Sequence, residues 1–468
     1  MGVKVMDNGI SFKEKLSFGI GAYGKDLVYG IVATFVMVYY TDVVQVSPAF
    51  VGGLFLVARI WDAINDPMMG LIVDNTHTKY GKFRPWILAG TIINSVVLAL
   101  LFLNPADFLQ GTLVYVWCAV TYILWGMTYT LMDVPYWSMI PSFSSDSKVR
   151  DTMSVIPRLF AMFGSSTITT FGLMIIAFLG VNMGGTVSDG YFRFALLIAV
   201  VFNVCEVICF LFTREHVVTE SQERIKPADA LRIIKENDQL LVIIGLTVMK
   251  EFGIYLFLGM NIYYYRYVVL DESWFALFGA ISFASQLVAF SAFSKLVEMI
   301  SRKSTYLLSL ALLISGLLGM FFFAGAPGSS TVVFGICAAL FSMGNALICV
   351  SGTVMLADAC DYGEFKTGKR TEAIVFSAQT LSVKFGSAMS GALGGLLLQF
   401  VGYVPNIAQT EQTIMGLKLL MFVLSAIIFA TMMFIYVKCY KLNGDFYKDM
   451  LSMLEITREQ KKLEQAQA

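Results

Sequence analysis

The sequence predicts an all-α membrane protein of twelve transmembrane helices, grouped as two six-helix bundles with both termini in the cytoplasm. Three features predict it. Apolar stretches near the ~20 residues that cross a bilayer recur from end to end. Lys and Arg collect in alternate loops, and one long polar insertion divides the spans six and six. Composition agrees: of 468 residues 57% are hydrophobic and only 14% charged, with a mean hydropathy of +0.72. A soluble domain carries about 25% charged residues.

The spans are expected at 18–42, 49–73, 85–103, 113–140, 158–180, 192–213, 240–265, 274–297, 305–326, 331–356, 372–401 and 415–438. Ahead of them, MGVKVMDNGISFKEKLSFG has no apolar core before Leu16 and no small-residue cleavage site, so it does not read as a cleavable signal. Lys4, Lys13 and Lys15 precede the first span. Lys79, Lys82, Arg84, Lys148, Arg150, Arg214, Arg224, Lys226, Arg232, Lys235, Arg302, Lys303, Lys366, Lys369 and Arg370 fill the even loops, while the odd loops are nearly bare. The positive-inside bias therefore places the even loops and both termini in the cytoplasm. The expected organisation is a bundle at 1–213, a cytoplasmic connecting loop at 214–239, a second bundle at 240–440 and a cytoplasmic tail at 441–468. No strong sequence repeat links the halves.

Formal net charge is zero and no basic run suggests nucleic acid. The seven cysteines fall in or beside apolar segments, and the only histidines, His77 and His216, sit in polar loops. That distribution points away from structural disulfides and from a zinc-type metal site.

Charged groups inside the spans are the informative residues, because each costs ~2.5–3.5 kcal/mol at the bilayer centre unless it pairs or meets water. In span 2, Arg59, Asp62 and Asp66 lie within about 60° of one helix face. Asn65 adds an amide beside them, and Pro67 cannot donate to the Ala63 carbonyl. Such an oxygen-rich cluster suits Na⁺, Li⁺ or H⁺. In span 4, Gly126, Thr130, Asp133 and Trp137 share a face. Two readings fit: an acid and an indole one turn apart that hold a sugar, or an Asp capping an opposed cation with Trp as packing. Lys25 and Asp26 lie in the Gly-rich first span, and Gln379, Thr380 and Lys384 in the eleventh. Glu206 has no assigned role, and Lys250 with Glu251 reads as an ion pair.

Five stretches carry a resemblance: GAYGKD (21–26), YYTDVV (39–44), FLVARIWDAINDPMMGLIVDNTHTKYGKFRPWI (55–87), VTYILWGMTYTLMDVPYWSMIP (120–141) and ADACDYGEFK (357–366). Across residues 16 to about 448 the chain resembles the glycoside–pentoside–hexuronide:cation symporters of the major facilitator superfamily. The resemblance implies the major facilitator fold, with two bundles around a central cavity. It implies cation binding by Asp62, Asn65 and Asp66 with Gly126 and Thr130, closed by Lys384. It also implies cargo contacts at Lys25, Asp26, Tyr129, Asp133, Trp137, Arg158, Gln379, Thr380 and Lys384. The stretches DNTHTKYGKFRPW and DYGEFKTGKR, with Arg84, Asp361 and Glu364, become inner-gate latches. Two positions depart from the family: Cys349 stands where a span-10 Trp is expected, and Lys250–Glu251 where neutral residues are expected.

The expected function is therefore symport of a galactoside such as melibiose with Na⁺, Li⁺ or H⁺ by alternating access. The expected setting is a bacterial inner membrane, with the protein working as a monomer in the lipid bilayer and needing no cofactor beyond the ion. The same fold with another glycoside, a pentoside or a hexuronide is the alternative. A proton-coupled drug exporter would want a pocket less polar than Asp133–Trp137. A membrane-embedded enzyme would need a nucleophile or metal cluster at the interface, and a channel a filter motif; the sequence shows neither.

Overall fold

The computed structural model describes residues 10–144, 147–216, 232, 234–323, 330–367 and 372–467. Twelve long helices follow one another: α1 (Phe12–Val38), α2 (Pro48–Asp74), α3 (Arg84–Leu101), α4 (Thr112–Ser138), α5 (Ser147–Leu179), α6 (Val187–Phe212), α7 (Asp238–Tyr264), α8 (Ser273–Ile300), α9 (Arg302–Phe323), α10 (Thr331–Thr367), α11 (Glu372–Phe400) and α12 (Glu411–Cys439). A tail helix, α13 (Gly444–Gln467), ends the chain. Among the described residues there is no strand, and 11 helices are long and apolar enough to span a bilayer. The remaining one, α2, is 27 residues long and carries Arg59, Asp62 and Asp66 in its apolar run.

Several boundaries differ from expectation. Ser11 accepts a hydrogen bond from the Glu14 amide at 3.2 Å and starts α1 ahead of the first apolar residues. α5 begins at Ser147 and α10 runs on to Thr367, so DYGEFKT is helix and not loop. The extension of α10 has polar anchors: Arg302 Nη1 donates to Asp358 at 3.1 Å, and Tyr362 OH donates to Asp238 at 2.8 Å. Lys4, Arg224, Lys226, Lys369, Arg370 and most of the 214–239 connector lie outside the described residues, as do the side chains of Lys148 and Arg150.

The chain divides into two units, Met1–Glu223 with Val404–Ile407, and Arg224–Tyr403 with Ala408–Ala468. Within the first, α1 packs on α5 and α6, α3 on α4 and α6, and α2 on α4. Within the second, α7 packs on α11 and α12, α9 on α10 and α12, and α8 on α10. The pairing is the same, shifted by six helices. The repeat extends to atoms. A methyl group on Gly164 of α5 would come 2.7 Å from the Tyr23 carbonyl oxygen and 3.2 Å from the Asp26 Cβ. One on Gly386 of α11 would come 2.7 Å from the Val248 carbonyl oxygen and 2.8 Å from the Glu251 Cβ. α1 and α7 also both unwind at their C-terminal ends into a π-helical turn, Tyr39–Val43 and Tyr265–Val269.

Aromatic stacking fills each core. Phe18 stacks on Tyr136 at 4.3 Å in the first unit, and Phe257 meets Phe341 at 4.3 Å in the second. The outward stripes are apolar, as a lipid solvent requires: on α2, Val57, Ile60, Ile64, Met68 and Leu71 are exposed at helical spacing. No disulfide joins the described cysteines.

Since backbone meets side chain at Gly164 and Gly386, Gly164→Val and Gly386→Val should each destabilise the protein by about 1–3 kcal/mol, the usual cost of overpacking. Gly245→Ala, with nothing within 4 Å of the added carbon, should be neutral. Thermal unfolding of purified protein in detergent checks this; equal melting temperatures for all three variants would contradict the close-packed interfaces.

Candidate functional site

One group of polar residues forms around Lys25. Its ammonium reaches across to α4 and meets Asp133 Oδ1 at 2.5 Å, with Asp26 Oδ2 at 3.9 Å. Lys25 is 3% exposed, whereas the Asp133 side chain is 27% exposed, so the pair is closed on the lysine side and open on the acid side. Trp137 Nε1 donates to the same Asp133 oxygen at 3.1 Å, as the one-turn spacing on α4 predicts. The Trp137 ring lies 4.7 Å from the Lys25 ammonium, and the Tyr129 ring 5.8 Å from it. Tyr129 is held in turn against Trp125 and Tyr29, with ring centroids 5.4 and 5.9 Å away. The geometry contains the contact of the second reading: Asp133 faces a cation, and Trp137 packs beside the pair. Arg158, expected at the start of the fifth span, lies about three turns into α5, because the helix begins at Ser147, and it is exposed.

A second group lies between α2 and α4. Thr130 Oγ1 donates to Asp66 Oδ1 at 3.1 Å and lies 3.1 Å from the Gly126 carbonyl oxygen. Asp62, 7% exposed, approaches Gly126 so closely that an added methyl there would stand 3.3 Å from its Oδ1. Arg59 Nη1 donates to the other Asp62 oxygen at 2.9 Å. The Asn65 amide nitrogen is buried with no hydrogen-bond partner among the described residues. Arg59 thus offsets one of the two carboxylates of this group. Pro67 removes one helical hydrogen bond in α2 at this level, and Pro135 does so in α4.

Both groups meet on α4, where Thr130 is one turn from Asp133 and Asp133 one turn from Trp137. Glu206 of α6 stands behind Lys25. It is fully buried, neither carboxyl oxygen has a hydrogen-bond partner among the described residues, and Lys25 and Asp133 are near enough to act on it electrostatically. Gln379, Thr380 and Lys384 lie on α11, in the other unit, with Gln379 and Lys384 partly buried and Thr380 exposed.

Arg84 opens α3 and is pinned to the end of α6. Its Nε donates to the Phe210 carbonyl at 3.1 Å, its Nη2 donates there too, and its guanidinium stacks 4.7 Å from the Phe210 ring. Beside it is a device the sequence reading missed. The Glu215 carboxylate accepts from the backbone amides of Lys82 and Phe83, each at 2.9 Å, so an anion sits on the N-terminus of α3. Gly81, at φ +103°, makes room for it. Glu14 does the same for the following segment, accepting from the Arg214 amide at 2.9 Å and lying 2.8 Å from His216 Nε2. An isolated Glu after an apolar span carries no local signal of such a partner. In the second unit, Asp361 and Glu364 are half-buried on α10 near Asp358, which accepts from Arg302 and from Tyr447 of α13. Burial pushes the Tyr447 hydroxyl well above its ordinary pKa, which keeps it a donor. With Met450 and Leu454 buried, α13 is a docked cap on α10.

Comparison with known proteins agrees with this architecture. The chain is 34% identical over 420 residues to the isoprimeverose transporter of Lactiplantibacillus pentosus, covering 88% of this chain and 85% of that one. It is 28% identical to a putative glycoside/cation symporter, YagG, of Escherichia coli, over 93% of each. Among solved structures, the nucleoside transporter NupG matches with a TM-score of 0.65 at 12% identity, over 92% of this chain and 100% of the other, a likeness of fold alone. Residues 17–444 match the family described as MFS/sugar transport protein. This twelve-helix, multi-pass membrane protein is a transporter and not an enzyme, and it belongs to the MFS/sugar transport protein family.

Proposed function

We propose that the protein imports a neutral disaccharide across a bacterial inner membrane, coupled to entry of one monovalent cation by alternating access, and that it works as a monomer. The observation that carries the reading is the sharing of α4: the helix that hydrogen-bonds Asp66 through Thr130 also presents Asp133 and Trp137. Na⁺, Li⁺ or H⁺ at Asp62, Asp66 and Thr130 neutralises the excess carboxylate and draws α2 toward α4. Asp133 and Trp137 are then set for cargo. The open oxygen of Asp133 accepts sugar hydroxyls, the indole covers an apolar ring face, and Lys25 holds the carboxylate in place. Each ligand raises the other's affinity, and the coupling is reciprocal. The charge set Lys25, Asp26 and Asp133 is net negative, which disfavours a hexuronide. Gln379, Thr380 and Lys384 contribute from the C-terminal unit, and Arg158 from α5. YagG, described as a putative glycoside/cation symporter, supports the coupling.

For cargo, the resemblance of the sequence to melibiose-type symporters supports a galactoside such as melibiose. The L. pentosus relative favours a second reading, isoprimeverose. Both are neutral disaccharides ending in glucose; isoprimeverose carries xylose where melibiose carries galactose, so it lacks one hydroxymethyl group and has the C4 hydroxyl equatorial instead of axial. Uptake of a radiolabelled panel (melibiose, isoprimeverose, lactose, a glucuronide) into membrane vesicles, with and without a Na⁺ gradient, separates them. Gradient-driven uptake of a neutral disaccharide is the expected result, and uptake of the glucuronide alone would contradict the reading.

Asp62→Asn and Asp66→Asn should each abolish Na⁺ stimulation of uptake while sugar binding survives, weakened. Normal Na⁺ stimulation in both variants would remove the cation assignment. Asp133→Asn and Trp137→Ala should lower sugar affinity at saturating Na⁺ by about 10–100-fold, the worth of a hydrogen bond to a charged group. Unchanged binding, measured by titration calorimetry, would remove the cargo assignment.

A further inference from the structure

The packing repeat assigns a counterpart to the Lys25–Asp26 pair. Gly164 of α5 touches α1 at Tyr23, Asp26 and Leu27; Gly386 of α11 touches α7 at Val248, Glu251 and Phe252, with the third approach, to the backbone nitrogen, at 3.3 Å in both cases. The two sets share one register. It places Lys250 where the first unit has Lys25, and Glu251 where it has Asp26. The chemistry repeats with the geometry. Lys250 Nζ lies 2.6 Å from Glu251 Oε1, and the side chains keep 18% and 12% exposure. Adjacent residues on a helix point in different directions, so an ion pair between them is not a routine product of helical spacing. Cys349 of α10, which is exposed, lies close enough to act on Lys250 electrostatically.

We propose that Lys250 and Glu251 form a second hydroxyl-binding pair, through which the C-terminal unit contacts the transported glycoside and selects among glycosides. The inference rests on the symport reading above. A lysine donates and a glutamate accepts, so together they satisfy a hydroxyl that does both. Because the pair is internally neutral, it adds no preference for an anion and suits a neutral sugar ring. Cys349, beside it, offers no ring face of its own. Selection in this unit falls to hydrogen bonding, which rejects a ligand lacking the matching hydroxyl more sharply than apolar contact does.

The test uses the full chain in proteoliposomes, with melibiose and isoprimeverose as probes. Glu251→Gln and Lys250→Met should raise the half-saturation concentration of the transported sugar about tenfold or more, the worth of one charge-assisted hydrogen bond, and should shift the ratio of melibiose to isoprimeverose uptake. The half-saturation for Na⁺ should stay unchanged. A purely structural pair would lower the yield or melting temperature and leave that ratio as it was. In the unmutated chain, a saturating concentration of transported sugar should slow N-ethylmaleimide labelling of Cys349, read by mass spectrometry, while the exposed Cys439 labels at its usual rate. This arm decides the matter if a variant fails to insert. An unaltered sugar ratio together with unprotected Cys349, in a protein that transports, overturns the inference alone. Failure of the unmutated chain to take up any glycoside overturns the symport reading and this inference with it.

Discussion

The ion pair between Lys25 and Asp133 constrains the rest of the N-terminal unit. A lysine at 3% exposure inside a helical bundle persists only beside a compensating carboxylate. The fold supplies one by close packing. Gly24 lets α6 approach α1 at Cys205, Gly164 lets α5 approach at Tyr23, and Tyr136 of α4 reaches the Phe18 carbonyl. α1 is thereby clamped on three sides, with Lys25 aimed at α4. Breaking such a pair from one side costs roughly 3–5 kcal/mol. A ligand that engages Asp133 must therefore share the carboxylate with Lys25 and not displace it, and a polyhydroxylated sugar can do so.

The two halves repeat each other in packing and differ in chemistry. Where α2 and α4 are bridged by Asp66 and Thr130, the corresponding pair α8 and α10 is bridged by neutral hydroxyls, Ser342 to Ser282 at 2.8 Å. The proposed ion site therefore belongs to one half, while a Lys–acid dipeptide belongs to both.

Helical periodicity made much of this legible. The charged face of α2 and the shared face of Gly126, Thr130, Asp133 and Trp137 followed from residue spacing, and the structure finds the cross-helix contacts those faces implied. The contact of Arg59 with Asp62, one turn away, lies on that same charged face. Glu14 and Glu215 were invisible because their hydrogen bonds close over 200 and about 130 residues of chain, and sequence spacing carries no information on that scale. The internal repeat was hidden for a different reason. It is preserved in a glycine that faces a carbonyl oxygen, Gly164 to Tyr23 and Gly386 to Val248, and in the Lys–acid dipeptide beside it, too few residues to form a recognisable sequence repeat. The helical extension of α10 through DYGEFKT was misread as a loop because its polarity resembled one, whereas Asp358 and Tyr362 bind their own unit.

The claim at the centre is that cation and sugar communicate through α4. Titration calorimetry on the purified protein tests it most directly: sugar affinity with and without saturating Na⁺, and Na⁺ affinity with and without saturating sugar. The account predicts that each ligand tightens the other by the same factor, about 5–150-fold, and that Thr130→Ala reduces both factors together. A factor of one in either direction, with both ligands still binding, would contradict it.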